Sequence, residues 1–132
     1  MAASHILLID DDRTNNQVAT HTLQQMGLRY TALRSPQELP RSLSMLRDVS
    51  AVLLGLDIYN YDGIAYLKDL KRYPQFVGIP IVGISTNGTR SYEAKKAGFN
   101  GFIIKPFRAE QFPFLMNKIL SNTPLWETAS LA

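Results

Sequence analysis

Three carboxylates stand side by side at Asp10-Asp11-Asp12, directly after the apolar run Ile6-Leu7-Leu8-Ile9. Further along, Asp57 follows a second apolar run, Ser85-Thr86 follows a third that ends at Ile84, and Lys105-Pro106-Phe107 follows a fourth, Gly101 to Ile104. Each polar group therefore sits at the carboxyl end of a short apolar segment. Carboxylates, a hydroxyl and a lysine converging on one rim suit Mg²⁺ and a phosphoryl group. Hard oxygen ligands fit the ion, while lysine and serine can hold phosphoryl oxygens.

Convergence requires those apolar segments to be neighbouring strands. His5 to Ile9 is continuously apolar after its first residue, the pattern of a strand buried on both faces. A helix is expected from about Asn15 to Met26, with Val18, Thr22, Leu23 and Met26 on one face and Gly27 ending it. Tyr30 to Leu33 reads as a second strand. Ser35-Pro36-Gln37-Glu38 is a helix start with a capping box, but Pro40 inside the same helix lacks an N–H, so this helix should be short or distorted. Ala51 to Leu56 is the third strand, Asp62-Gly63 a turn capping a helix from Ile64 to Tyr73, and Ile79 to Ile84 the fourth strand. A helix from Thr89 to Ala97 stops at Gly98. Gly101 to Ile104 is the fifth strand, and a last helix runs from about Ala109 to Leu120. Periodicity fails at Asn122-Thr123-Pro124, so residues 1–121 are expected to form one domain and 122–132 a tail or linker start, with Trp126 either docking that tail or, as the safer expectation, lying in a mobile end. Strands alternating with helices imply an α/β fold, a parallel sheet covered on both faces, whose ligands bind beyond the carboxyl ends of the strands.

The segments Ile6-Leu7-Leu8-Ile9-Asp10-Asp11-Asp12, Asp62-Gly63, Ile81-Val82-Gly83-Ile84-Ser85-Thr86 and Ala97 through Phe107 resemble, in order and separation, the receiver domains of two-component response regulators. The resemblance covers about residues 5 to 120. It implies a flavodoxin-like doubly wound (βα)5 fold, with five parallel strands in the order 2-1-3-4-5. It also implies that Asp10 and Asp11 are the acidic pair that holds Mg²⁺, and that Ser85 is the hydroxyl that moves toward a phosphate. Lys105 would contact the phosphorylated side chain, its bond to Pro106 often being cis in the family, and Phe102 would be the aromatic coupled to the switch.

One departure matters. In typical receivers the acceptor Asp ends the third strand, seven residues before the Asp of the Asp-Gly turn; that position is Gly55. Glycine cannot be a nucleophile, so the resemblance implies a degenerate, phosphorylation-independent receiver. An alternative acceptor is Asp57, two residues on and on the same face if the strand extends; it requires a loop to Asp62 shorter than the family's. In the ungapped register Asp57 is instead the position whose carbonyl is a metal ligand and whose side chain tunes phosphate lifetime. With one carboxylate lost, Mg²⁺ binding should be weak and Lys105 should turn toward Asp10 or Asp11. The space left at Gly55 could be filled by water, Asp57 or Lys105.

Other residues carry plainer readings. Asp12 is expected to cap a helix, and His5 and His21 lack a second His at metal spacing. Phe99, Phe102, Phe107, Phe112 and Phe114 are expected in the core. The chain has 132 residues, no cysteine and a net charge of +3. Its basic residues are scattered rather than striped, which argues against direct nucleic-acid binding. There is neither a signal peptide nor a membrane-length apolar run, so a cytoplasmic location is expected. A nucleophile elbow and a dehydrogenase glycine motif are absent, and three carboxylates in the first loop oppose a flavin phosphate. No enzyme activity is expected. Partners implied by the resemblance are a protein or an attached output domain, through the face formed by helix four, strand five and helix five, with a homodimer as another form.

Overall fold

The computed structural model describes residues 4–126. Its sheet is parallel throughout, with strands β1 (His5–Ile9), β2 (Arg29–Leu33), β3 (Val49–Gly55), β4 (Ile81–Ser85), β5 (Gly101–Ile104) and β6 (Leu125–Trp126) in the order β2-β1-β3-β4-β5-β6. The order expected for the first five strands holds. Alternation along each strand divides the core into two layers. Ile6, Leu8, Ala51, Leu53, Val82 and Ile84 pack with Ala19 and Leu23 of α1 (Arg13–Gln25) and with Phe112, Met116 and Ile119 of α5 (Phe112–Leu120). Leu7, Ile9, Val52 and Leu54 pack on the other side with Leu39 of α2 (Leu39–Ser42), Leu67 and Leu70 of α3 (Gly63–Leu70) and Ala94 of α4 (Arg90–Ala97). Two apolar layers are why the central strands read as unbroken apolar runs.

The helix boundaries follow local chemistry. Asp12 caps α1 by accepting from the Asn15 amide at 3.0 Å, so the helix begins two residues before the expected start. The second helix is short and distorted, as Pro40 requires. The Ser35–Glu38 capping box opens a 3-10 turn, four α-helical residues follow, and a second 3-10 turn ends at Met45. α3 ends at Leu70 rather than Tyr73, because the residue before Pro74 is driven out of helical conformation. Gly98, at φ 108°, ends α4 in the left-handed region that glycine adopts without strain. α5 starts at Phe112, three residues later than expected, with Pro113 in its first turn.

Two expectations need correcting. A tail or linker start is expected from residue 122 onward, but Leu125–Trp126 lie along β5, pairing Gly101 with Leu125 and Phe102 with Trp126. Leu125 is buried, and closing such a side chain away from water contributes about 2 kcal/mol. Two paired residues are too few for a periodic signal, so only the edge left open by β5 reveals the strand. Residues 127–132 lie outside the described residues. Phe114, expected in the core with the other phenylalanines, is 62 % exposed, under the ammonium of Lys118. It lies on the outer side of α5, whereas Phe99, Phe102, Phe107 and Phe112 are buried. No helix among the described residues is long and apolar enough to cross a membrane.

Candidate functional site

The site lies where β1, β3, β4 and β5 end. The register that pairs Ile9 with Leu54 sets Asp10, one residue on, beside Gly55, and the register of β3 with β4 puts Gly55 beside Ile84. Ser85 pairs with Ile104, and the Lys105 amide donates to the Ser85 carbonyl at 2.9 Å. Parallel pairing thus brings residues 10, 55, 85 and 105 to one rim, though they are far apart in sequence.

Asp10 is almost wholly buried. Its Oδ2 accepts from Lys105 Nζ at 2.7 Å and its Oδ1 from the Asp11 amide at 2.9 Å. Burial opposes the charged carboxylate and moves its pKa above the ordinary value; the hydrogen bond and charge of Lys105 and the Asp11 amide offset this only in part. The Lys105 ammonium also lies 3.5 Å from Asp12. The expected turn of Lys105 toward the acidic pair is therefore realised at Asp10, with Asp12 as the second partner. Asp11 points elsewhere: its Oδ2 accepts from the Tyr59 amide at 3.0 Å and ties down the loop after β3.

Gly55 ends β3, and Asp10 closes over it. A Cβ built on Gly55 would lie 2.4 Å from Asp10 Oδ1, 2.7 Å from Asp10 Cγ and 3.2 Å from Ile58 Cγ1. Water, Asp57 or Lys105 is the expected filler of this space; the carboxylate of Asp10 occupies it instead. Asp10 is the side chain that β-sheet register places alongside, and Lys105 holds it there.

Asp57 lies past the end of β3 and is held by different partners. Ser85 Oγ donates to its Oδ2 at 2.5 Å, and Arg90 Nη1 reaches its Oδ1 at 2.5 Å. Ser85 Oγ in turn accepts from the Asn87 amide at 3.0 Å, so it also satisfies backbone at the strand end. Phe102 is wholly buried, and the Lys105–Pro106 peptide bond is cis, as the resemblance implies. His5 is engaged by the Arg47 carbonyl and the Thr31 hydroxyl, a packing role.

Three residues of this rim escape sequence reasoning. Asn15 Oδ1 accepts from the Phe107 amide at 2.6 Å, joining α1 to the loop after Pro106. Asn16 donates to the Asp10 carbonyl at 2.8 Å. Arg90 gathers Asp57, Asp62 and Glu93. A cation opening a helix is the only signal Arg90 carries, and that signal is common to many surface helices.

The donor set does not suit a divalent cation. Among the described residues no group of three or more His, Asp or Glu converges for a metal. Both oxygens of Asp10 are already engaged, one by an ammonium whose charge would repel Mg²⁺.

Residues 6–116 match the family described as the response regulator receiver domain. A two-component response regulator of rice, ORR13, is 24% identical over 121 residues, covering 90% of this chain and all of the relative. The fold is shared with chemotaxis response regulator CheY4 of Vibrio cholerae (TM-score 0.78, 21% identity, 90% of this chain and 100% of that one). It is shared also with the receiver domain of the Pseudomonas aeruginosa sensor histidine kinase PA1611 (TM-score 0.76, 23% identity, 91% and 99% covered), whose structure has a magnesium ion coordinated in the active site cleft.

Proposed function

The chain belongs to the response regulator receiver domain family of two-component signal transduction, and on that premise we propose that it signals by binding rather than by accepting phosphate. The observation that carries this reading is Gly55, the position of the family's acceptor, over which the Asp10 carboxylate has closed in an ion pair with Lys105. A side chain is missing where the nucleophile would stand, and the lysine that would meet a phosphoryl group already has an anion. Asp10 and Asp11 are the remnants of a metal site with weak or no hold on Mg²⁺. Ser85, Phe102, Lys105 and Pro106 are the remnants of the switch. The partner is a protein or an attached output domain. The exposed Tyr92 on α4 and Phe114 on α5 support the face made by α4, β5 and α5 as the contact, in a heteromeric complex or a homodimer. The domain acts as a regulatory module, not as an enzyme.

A second reading takes Asp57 as acceptor, and one contact favours it: the Ser85 hydroxyl lies on its carboxylate. Against it, β3 stops at Gly55, Arg90 occupies the other oxygen and Lys105 is turned to Asp10.

Amide NMR of the full chain, titrated with Mg²⁺ and then with beryllofluoride, tests the proposal. The expected result is no saturable shift at Ser85, Phe102 or Lys105. Saturable shifts there that vanish in Asp57→Asn would overturn it in favour of phosphorylation at Asp57.

A further inference from the structure

The contacts around Arg90 form a second centre that shares no side chain with the Asp10–Lys105 pair. Arg90 is the first residue of α4, and its side chain is only 17% exposed although it carries a charge. Its Nη1 donates to the Leu56 carbonyl at 3.0 Å as well as to Asp57. Asp62, the cap of α3, lies 3.6 Å from Nη2, and Glu93 lies 3.5 Å from Nε. Burial works against the guanidinium's charge, but the hydrogen bond and charge of Asp57, with those of Glu93, outweigh it and raise its pKa.

The other oxygen of Asp57 takes the Ser85 hydroxyl, which also accepts the Asn87 amide. Asn87 Oδ1 accepts the Thr89 amide, and the Asn87 carbonyl accepts the Arg90 amide. The β4–α4 loop is thus fastened at both ends to one carboxylate, through Ser85 where it leaves the sheet and through Arg90 where it enters the helix. The planar fork of arginine can bridge a carboxylate and a backbone carbonyl together, which a lysine ammonium cannot do with fixed geometry.

We propose that Asp57 and Arg90 form a standing clasp that holds Ser85, the β4–α4 loop and the first turn of α4 in one arrangement without any phosphoryl group. It rests on the reading that Gly55 receives no phosphoryl group, and it adds how the domain then keeps a single signalling surface. Asp57 supplies, from within the chain, a fixed anion for the strand-end hydroxyl. The exposed Tyr92, two residues into α4, is presented in the orientation the clasp sets. Asp57→Asn removes the charge and keeps the shape; Arg90→Ala removes the fork.

The test is amide hydrogen exchange on the full chain in metal-free buffer, comparing wild type, Asp57→Asn, Arg90→Ala and the double variant. Asn87, Arg90 and Ser91 have hydrogen-bonded amides in this segment. Their exchange is expected to quicken by about tenfold in each single variant. The double variant should exchange no faster than the singles, because either change opens the same clasp. Amides of β1 and β5 should be unaffected. Unchanged protection of these three amides in Asp57→Asn, or additive effects in the double variant, would overturn the clasp. Failure of the Gly55 reading is separable, since it shows as a beryllofluoride response of the wild type and not in metal-free exchange.

Discussion

Adding a single methyl group at Gly55 is expected to cost about 1–3 kcal/mol of stability. The backbone of Gly55 is ordinary extended strand, so Gly55→Ala brings no conformational penalty of its own. The cost comes from Asp10, whose Oδ1 and Cγ would sit 2.4 and 2.7 Å from the new Cβ. Normal contact requires the carboxylate to retreat by about 1 Å, against a buried Lys105 ammonium at 2.7 Å, the Asp11 amide at 2.9 Å and the nearby Ile58 side chain. Gly55→Asp meets the same clash and adds a second carboxylate beside one that burial already disfavours, so its loss should exceed that of Gly55→Ala by about 1 kcal/mol at low salt. On the proposed reading of Gly55 as the acceptor position, it also supplies a third carboxylate ligand beside Asp10 and Asp11. Mg²⁺ that binds only the folded state stabilises it by mass action, so the urea midpoint of Gly55→Asp should rise with Mg²⁺ while those of Gly55→Ala and the wild type stay put. Urea unfolding followed by circular dichroism, with and without Mg²⁺, measures all three. A Gly55→Ala variant within about 0.5 kcal/mol of wild type would show that Asp10 moves freely, and would refute the closed pocket.

Two further perturbations probe the same rim. A carboxyl whose pKa is raised by folding binds its proton more tightly in the folded state. Its contribution to stability is therefore fully present below the ordinary value of 3.8 and is lost as pH rises through the folded value. The stability of wild type relative to Asp10→Asn should accordingly fall in urea melts as pH rises above the ordinary value of 3.8; a relative stability that is flat or rises with pH contradicts the raised carboxyl. At Gly63, a Cβ would lie 2.5 Å from the Gly55 carbonyl oxygen and 2.7 Å from Leu56 Cα, backbone atoms that cannot rotate aside. Gly63→Ala should cost about 3 kcal/mol by thermal or urea unfolding, and a loss under about 1 kcal/mol would mean the α3 start can slide away from β3.

Much of the fold was legible along the chain because its signals are local. Unbroken apolar runs gave β1, β3 and β4, Pro40 announced a broken second helix, and Gly98 marked the end of α4. The rim was legible too, since in a parallel sheet every strand's carboxyl end faces the same way and Asp10, Gly55, Ser85 and Lys105 each end or follow a strand. The identity of residue 55, and with it the absence of a nucleophile at that position, is a property of the sequence alone.

Which group answers that absence is a property of the tertiary structure. Asp10 fills the space at Gly55 because strand register, not sequence distance, sets them side by side, and Lys105 holds it there across 95 residues of chain. Arg90 reaches Asp57 from 33 residues away, and β6 forms only because β5 leaves an edge to pair with. Such contacts depend on distances of a few ångströms between residues that share no local pattern. Periodicity and caps place each element, but only their packing decides which buried charge meets which.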